Sequence, residues 1–130
     1  MKICRIYATS DGESHFEDQE IPLQEQGITG ALSEKIQTSH INFRENPSDH
    51  NHDWHTAPGR LYVVMLDGEV EVEVSDGQKR RFSGGDILLA EDTFGKGHRT
   101  RNLSNTQRRS IFISLDTPPT ESNQPEESRP

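Results

Sequence analysis

Cysteine and long apolar stretches are almost absent from this sequence. Cys4 is the single cysteine, which excludes a disulfide bond within the chain. No run of about 18 apolar residues occurs, so the sequence offers no candidate for a membrane-spanning helix. Met1 to Leu23 also lack the apolar segment of a secretory signal peptide. We therefore expect a soluble protein in the reducing cytoplasm.

Apolar and basic residues are both scarce. Hydrophobic residues make up 28% of the chain, and so small a core often gains stability from a subunit interface. The net charge is −8 at pH 7, and an acidic chain repels the phosphates of a nucleic acid. The short basic runs Lys79–Arg81 and Arg108–Arg109 fit solvated strand faces. We expect no nucleic-acid partner, and a homodimer in which Lys2–Ala8 pairs with or swaps onto the second subunit.

The C-terminal segment differs in composition from the rest of the chain. Residues 117–130 read TPPTESNQPEESRP and contain no aromatic or β-branched apolar residue. Such a segment buries too little apolar surface to offset the entropy of ordering it. We predict a disordered tail over 117–130 and a single folded domain over 1–116.

The folded part shows no helical periodicity over any long stretch. Short alternating runs recur between Gly, Asn, Asp and Pro, which is typical of an all-β sandwich or barrel. We predict strands at Lys2–Ala8, His15–Pro22, Leu32–Ile36, His40–Glu45, Arg60–Leu66, Glu69–Ser75, Gln78–Ser83, Asp86–Glu91, Gly97–Leu103 and Arg108–Leu115.

Two Asp-Gly pairs, at Asp67 and at Asp76, predict hairpins with type I′ turns. Between them the run 69–74 alternates Glu and Val. Its valines are expected to face the core and its glutamates the solvent, opposite the basic run Lys79–Arg81 on the next strand.

The residues from Asp53 to Asn102 resemble the cupin superfamily. The glycine that closes the first family motif corresponds to Gly68, and the second motif runs from Gly85 through His98 to Asn102. The resemblance implies an antiparallel jelly-roll barrel, or double-stranded β-helix, with its core over about 53–103. It also implies a pocket for a small molecule inside the barrel.

The same resemblance gives candidate site residues. His55 and His98 match histidine positions of the two motifs, whereas Ala57 and Leu61 stand where the family has a second histidine and a glutamate. The match implies that His55 and His98 hold a divalent metal, Fe, Mn, Ni or Zn. The third ligand would come from His52, Glu91 or Asp92. Without a metal, the two imidazoles could act as general acid and base.

Further residues are candidates for contact with the substrate. Leu61, Val63 and Met65 share one face of a predicted strand and would form an apolar wall of the pocket, with Tyr62 close by. Arg44 would bind an anionic substrate if it points inward, and would be an ordinary surface cation if it points outward.

Two kinds of function fit these observations. One is a metal-dependent enzyme of the oxygenase, isomerase or lyase class that acts on a small polar or anionic metabolite. The alternative is a metal-free cupin that binds a small molecule or regulates another process without catalysis.

Overall fold

The structure is a computed structural model that describes residues 1–115, so the predicted tail at 117–130 lies outside the described residues. Within that part of the chain no helix is long and apolar enough to cross a membrane. The twelve strands of residues 1–115 are β1 Lys2–Ala8, β2 Ser14–Glu20, β3 Gln24–Glu25, β4 Ala31–Leu32, β5 His40–Asn46, β6 His52–His55, β7 Leu61–Met65, β8 Glu69–Val74, β9 Lys79–Ser83, β10 Ile87–Ala90, β11 His98–Asn102 and β12 Arg108–Ser114.

Most of the predicted strands are present, with three differences, one of which is the unpredicted two-residue strand β3. The strand predicted at Leu32–Ile36 is reduced to β4, which ends at Leu32 and pairs only with the two-residue β3. Strand β6 was not predicted, because its residues, HDWH, show no apolar alternation. Pairing with β11 holds β6 in place.

Two sheets face each other and form a jelly-roll barrel. The six-stranded sheet has the order β2-β1-β10-β7-β12-β5, and the four-stranded sheet has the order β6-β11-β8-β9. The predicted all-β double-stranded β-helix is confirmed. One pair departs from the predicted antiparallel arrangement, because β1 runs parallel to β10, with Cys4 opposite Leu88.

Strand β1 lies inside its sheet and not at an edge. It pairs with β2 on one side and with β10 on the other. Its backbone groups are therefore paired on both sides within the chain, so β1 is not the edge strand from which pairing or swapping with a second subunit was expected. The homodimer itself stays a prediction.

The core between the sheets rests on the alternation in β8. Val70, Val72 and Val74 are at most 4% exposed, while the intervening glutamates stay partly exposed. Burial of these side chains is the main stabilising contribution to a thin barrel. The cluster around them consists of Cys4, Ile6, Phe16, Met65, Phe82 and Leu88.

The glutamates of β8 form their ion pairs with β11. Glu71 lies opposite Arg81 of β9, as predicted, and also opposite Arg101 of β11. The ion pairs are Glu71–Arg101 at 3.0 Å and Glu73–Arg99 at 2.7 Å. The predicted cross-strand register is thus present, but strand β11 supplies the cations that bind the glutamates.

The two Asp-Gly turns differ from the predicted type I′ hairpins. Asp67-Gly68 connects β7 of one sheet to β8 of the other and makes no hairpin. At the second turn the Gly77 amide donates to the Val74 carbonyl, and the Val74 amide donates to the Gln78 carbonyl. This is a three-residue loop with a bulge at Gly77. Gly77 has a positive φ of 99° but Asp76 does not, whereas a type I′ turn needs both.

Gly97 allows β11 to approach β6 closely. Its φ is +78°, and a β-carbon there would overlap the carbonyl oxygen of His55. We predict that Gly97→Ala lowers the free energy of unfolding by about 1–3 kcal/mol, since a left-handed backbone and a backbone clash must both be accommodated. Urea unfolding would measure this loss.

Gly59→Ala is the matched control for that substitution. A β-carbon at Gly59 meets no atom within 4 Å, and its φ is not positive. We expect a change within about 1 kcal/mol. Equal losses for the two variants would show that the contact between β6 and β11 does not depend on Gly97.

Candidate functional site

A cavity of about 90 Å³ lies between the two sheets. One water needs roughly 10–15 Å³ of such space, so the cavity has room for a small molecule. Its walls combine apolar side chains with imidazole and guanidinium groups. The lining residues are Ile6, Arg44, His50, His52, His55, Val63, Met65, Val70, Val72, Leu88, Ala90, His98, Thr100, Arg108 and Phe112.

The pairing of β6 with β11 brings His55 and His98 together. The two residues are direct partners in the register, and their ring centroids are 4.4 Å apart at an angle of 59°. His98 is 8% exposed and His55 is half-buried. The two histidines that are far apart in the sequence therefore line one cavity.

A buried carboxylate orients His98. Asp92 is fully buried and its Oδ2 accepts a hydrogen bond from His98 Nδ1 at 2.6 Å. The same oxygen accepts from the Ser14 hydroxyl at 3.0 Å. Since a carboxylate only accepts, Nδ1 of His98 carries the proton, and Nε2 is the nitrogen available to a ligand.

His55 is held by a backbone group. Its Nδ1 lies 2.8 Å from the carbonyl oxygen of Asp53, which fixes the proton on Nδ1 and leaves Nε2 as an acceptor. Burial lowers the pKa of His55 below its usual range, and the neighbouring His98 and His52 lower it further, against the opposite effect of the Asp53 carbonyl. His55 is thus a neutral base at pH 7.

His52 and His50 extend the row of imidazoles. The ring of His52 stacks on that of His55, with centroids 3.4 Å apart and planes 6° from parallel, and His50 follows at 6.2 Å. Desolvation lowers the pKa of both His50 and His52. Arg44 adds to this effect at each ring, because a nearby cation disfavours an imidazolium.

Arg44 points inward, which answers the question that the sequence left open. Its Nε donates to the Ser110 hydroxyl at 3.0 Å, and its guanidinium carbon lies 4.2 Å from the centre of the Phe112 ring. Desolvation, with the charge of Arg108, lowers the pKa of Arg44 to about 10. The guanidinium therefore remains charged at neutral pH.

Arg108 is a cavity residue that the sequence analysis missed. It is 3% exposed and lines the cavity, whereas Arg109 is exposed and pairs with Asp67. The two adjacent arginines were interpreted together as a solvated strand face. Strand alternation could have identified Arg108, because residues two apart in a strand share a face and Arg108 therefore lies on the same face as Ser110 and Phe112.

Two of the predicted substrate contacts lie elsewhere. Val63 and Met65 line the cavity, whereas Leu61, on the same strand face, is not among the lining residues and is buried against Ala57 and Ala90. Tyr62 packs on the opposite side of the sheet, against Ile3, Leu89 and Leu115. Successive residues of a strand face opposite ways, so Tyr62 and Val63 do not share the cavity.

Glu91, a candidate third metal ligand, serves a different purpose. It is fully buried, and its carboxylate binds Arg5 Nε at 2.6 Å and also the Arg60 side chain. Arg5 is itself fully buried. Both carboxylate oxygens are committed to these cations, so Glu91 is not available to the cavity.

The predicted metal ligands His52, His55 and His98 do not complete a metal site in this arrangement. The lone pair of an imidazole nitrogen lies in the plane of its ring, and the rings of His52 and His55 are stacked in parallel planes. Their lone pairs therefore do not converge on one ion, so His52 and His55 cannot both bind the same metal in this arrangement. Among residues 1–115 no group of three or more His, Cys, Asp or Glu side chains is placed to hold a metal ion. The residues therefore do not fit the divalent metal that the resemblance implies.

The chain matches a known protein over only part of its length. No family model matches the sequence. Over 67 residues, or 51% of this chain, it is 37% identical to the oryzines biosynthesis cluster protein J of Aspergillus oryzae. The matched segment spans 36% of that protein, or about a third of its length.

Several solved structures resemble the barrel at low sequence identity. A sugar phosphate isomerase of the cupin superfamily from Silicibacter pomeroyi is 16% identical, with 89% of this chain and 70% of that chain covered and a TM-score of 0.49. A Cupin 2 conserved barrel domain protein from Salinispora arenicola is 21% identical, with 59% and 62% covered and a TM-score of 0.48.

A third structure is an RmlC-like cupin from Methanocaldococcus jannaschii, 15% identical, with 58% and 67% of the chains covered and a TM-score of 0.48. In this chain, the strands form two facing sheets that enclose a cavity lined by His55 and His98. This architecture is a double-stranded β-helix, and the likeness to these structures concerns the fold alone.

Proposed function

We propose that the chain is an acid–base enzyme that acts on a small metabolite in the barrel cavity. The observation that supports this most is the pair of imidazoles, His55 and His98, each with Nδ1 fixed and with the rings 4.4 Å apart in one cavity. Of the reaction classes considered, isomerisation and elimination need only an acid and a base.

The two histidines have different surroundings, which suits them to different roles. Asp92 lies against His98 and stabilises the positive charge that forms when His98 takes up a proton. His55 faces two other imidazoles and no carboxylate accepts its Nδ1. We assign His98 as the group that carries a proton to the substrate and His55 as the neutral base that removes one.

The surroundings of this pair fit a small substrate. Val63, Met65 and Phe112 supply an apolar wall, and the polar groups converge from β5, β6, β11 and β12. The Aspergillus relative is named as a protein of a biosynthesis cluster. We extend this to the present chain as a role in small-molecule metabolism, in the cytoplasm.

A metal-free binding module is the second candidate. The observation that favours it is that Ala57 and Leu61, both buried in the core, occupy positions where the family has metal ligands. Such a protein would retain its ligand without converting it.

Conversion of metabolites by the purified full-length chain tests the proposal. A mixture of cell metabolites is incubated with the protein and followed by mass spectrometry, with and without EDTA. We expect one small molecule to be converted despite EDTA, and Asp92→Asn to slow that conversion by about 10²–10⁴-fold.

The matched control is Asp76→Asn. Asp76 also holds a histidine, His15, at 2.8 Å, but outside the cavity, so conversion should be unchanged. Conversion that stops in EDTA and returns with a transition metal would contradict metal-free acid–base chemistry. Retention of an unconverted molecule would favour the binding module.

Three of the histidines that line the cavity, His50, His52 and His55, should make stability depend on pH. Their pKa values are lowered in the folded state relative to the usual value of about 6.5. Their contribution to stability is complete above that value and is lost as the pH falls below it, because the unfolded chain takes up protons first. We expect stability to fall between pH 7.5 and 5.5.

Urea unfolding at both pH values measures this fall, and replacing His50, His52 and His55 by Gln should reduce it. His40→Gln, at an exposed position outside the cavity, is the control. The same pH dependence in the triple variant and the wild type would contradict the interpretation.

We also propose that the chain forms a homodimer through the outer face of the six-stranded sheet. Two apolar rows cross β5, β12 and β7, namely Phe43–Ile111–Val64 and Ile41–Ile113–Tyr62. Phe43 is 78% and Ile41 51% exposed. All residues of the preceding segment 22–39 are exposed, including Leu23, Ile28, Leu32 and Ile36.

A second copy is the partner that this arrangement favours, because a two-fold interface uses the same patch on both subunits. The segment 22–39 of one copy would cover the apolar rows of the other. Sedimentation at micromolar concentration should show a dimer for the wild type and for Phe94→Asp, at a partly exposed loop position, but a monomer for Phe43→Asp. A monomeric wild type would contradict the proposal.

A further inference from the structure

Two guanidinium groups in the cavity have no carboxylate partner among the residues that the structure describes. Arg108 is 3% exposed and its Nε has no hydrogen-bond partner. Arg44 contacts only neutral groups, the Ser110 hydroxyl and the Phe112 ring. Within residues 1–115, neither arginine lies within 4 Å of a carboxylate oxygen.

This situation is unusual for the chain, in which negative side chains outnumber positive ones. The other buried arginine, Arg5, binds both Glu17 and Glu91. Exposed Arg109, adjacent to Arg108, binds Asp67. A buried cation without a counter-ion is costly, so an uncompensated pair in a cavity indicates that a ligand supplies the negative charge.

We infer that Arg44 and Arg108 bind the carboxylate of a short aliphatic acid in the barrel cavity. This inference rests on the proposed function and names its substrate class. A guanidinium matches a carboxylate with two parallel hydrogen bonds. Arg44 Nε is occupied by Ser110, which leaves its terminal nitrogens for the ligand.

The shape and polarity of the cavity select the rest of the molecule. Val63 and Met65 form an apolar wall that suits a hydrocarbon chain and that inorganic phosphate would leave unfilled. A volume of about 90 Å³ is too small for a nucleotide. The acid group would therefore lie at the arginines and the carbon chain along this wall, within reach of His55 and His98.

The ligand class can be tested with simple probes in calorimetric titrations of the full chain. Butanoate and succinate are compared with butanamide, the neutral analogue of butanoate, and with inorganic phosphate. We expect butanoate to bind at least ten-fold more tightly than butanamide. Arg108→Gln and Arg44→Gln should each weaken butanoate binding at least ten-fold and leave butanamide binding unchanged.

Arg109→Gln is the matched control, because Arg109 is the adjacent residue on the outer face. It should leave butanoate binding unchanged. A second measurement guards against misfolding: Arg108→Met removes an uncompensated buried charge, so the ligand-free variant should melt at a higher temperature than the wild type.

Three results would overturn the inference. They are equal binding of butanoate and butanamide, an equal loss of butanoate binding in Arg109→Gln, and tight binding of phosphate without binding of either carboxylate. The proposed function is tested separately, because Asp92→Asn should slow conversion as stated above yet still bind butanoate. Carboxylate binding without any conversion by the wild type would reject the enzyme and retain the site.

Discussion

The pairing of β6 with β11 is the interaction on which the site depends. Strand β6 is short and polar, and its register with β11 places His55 opposite His98. Gly97 permits the approach, since any larger residue would collide with the His55 backbone. Without this contact the six-stranded sheet and strands β11, β8 and β9 would still enclose an apolar core. The imidazoles of His55 and His98 would not lie next to each other.

Charge is distributed differently on the outside and the inside of the barrel. On the outer face of the four-stranded sheet, Glu71 and Glu73 are neutralised by Arg101 and Arg99. Inside, desolvation keeps the imidazoles of His50, His52 and His55 neutral, and Arg44 and Arg108 remain as cations. The lining of the cavity thus carries positive charge although the net charge of the chain is negative, which supports the proposed binding of an anion.

The buried acids explain why the site departs from a metal centre. Glu91 is held by Arg5 and Arg60, and Asp92 by His98 and Ser14. Both carboxylates therefore act within the protein, one as a structural counter-ion and the other as the group that orients an imidazole. Ala57 and Leu61 stand at two ligand positions of the cupin motifs that the sequence resembles, which supports the proposed proton transfer by the remaining histidines.

Local alternation in the sequence determined much of the fold. It was sufficient to predict the valine face of β8 and most of the strands, because strand periodicity is a property of neighbouring residues. The expected barrel and the candidates His55 and His98 came instead from the resemblance of the residues between Asp53 and Asn102 to cupin motifs. Which strands pair with each other depends on residues that are far apart in the sequence, so only the tertiary structure determined it. It made β1 an inner strand parallel to β10, turned Asp67-Gly68 into a connection between sheets, and placed Tyr62 outside the cavity. It also buried Arg108 beside an exposed Arg109, since the face of β12 that becomes the interior depends on which strands pack against it.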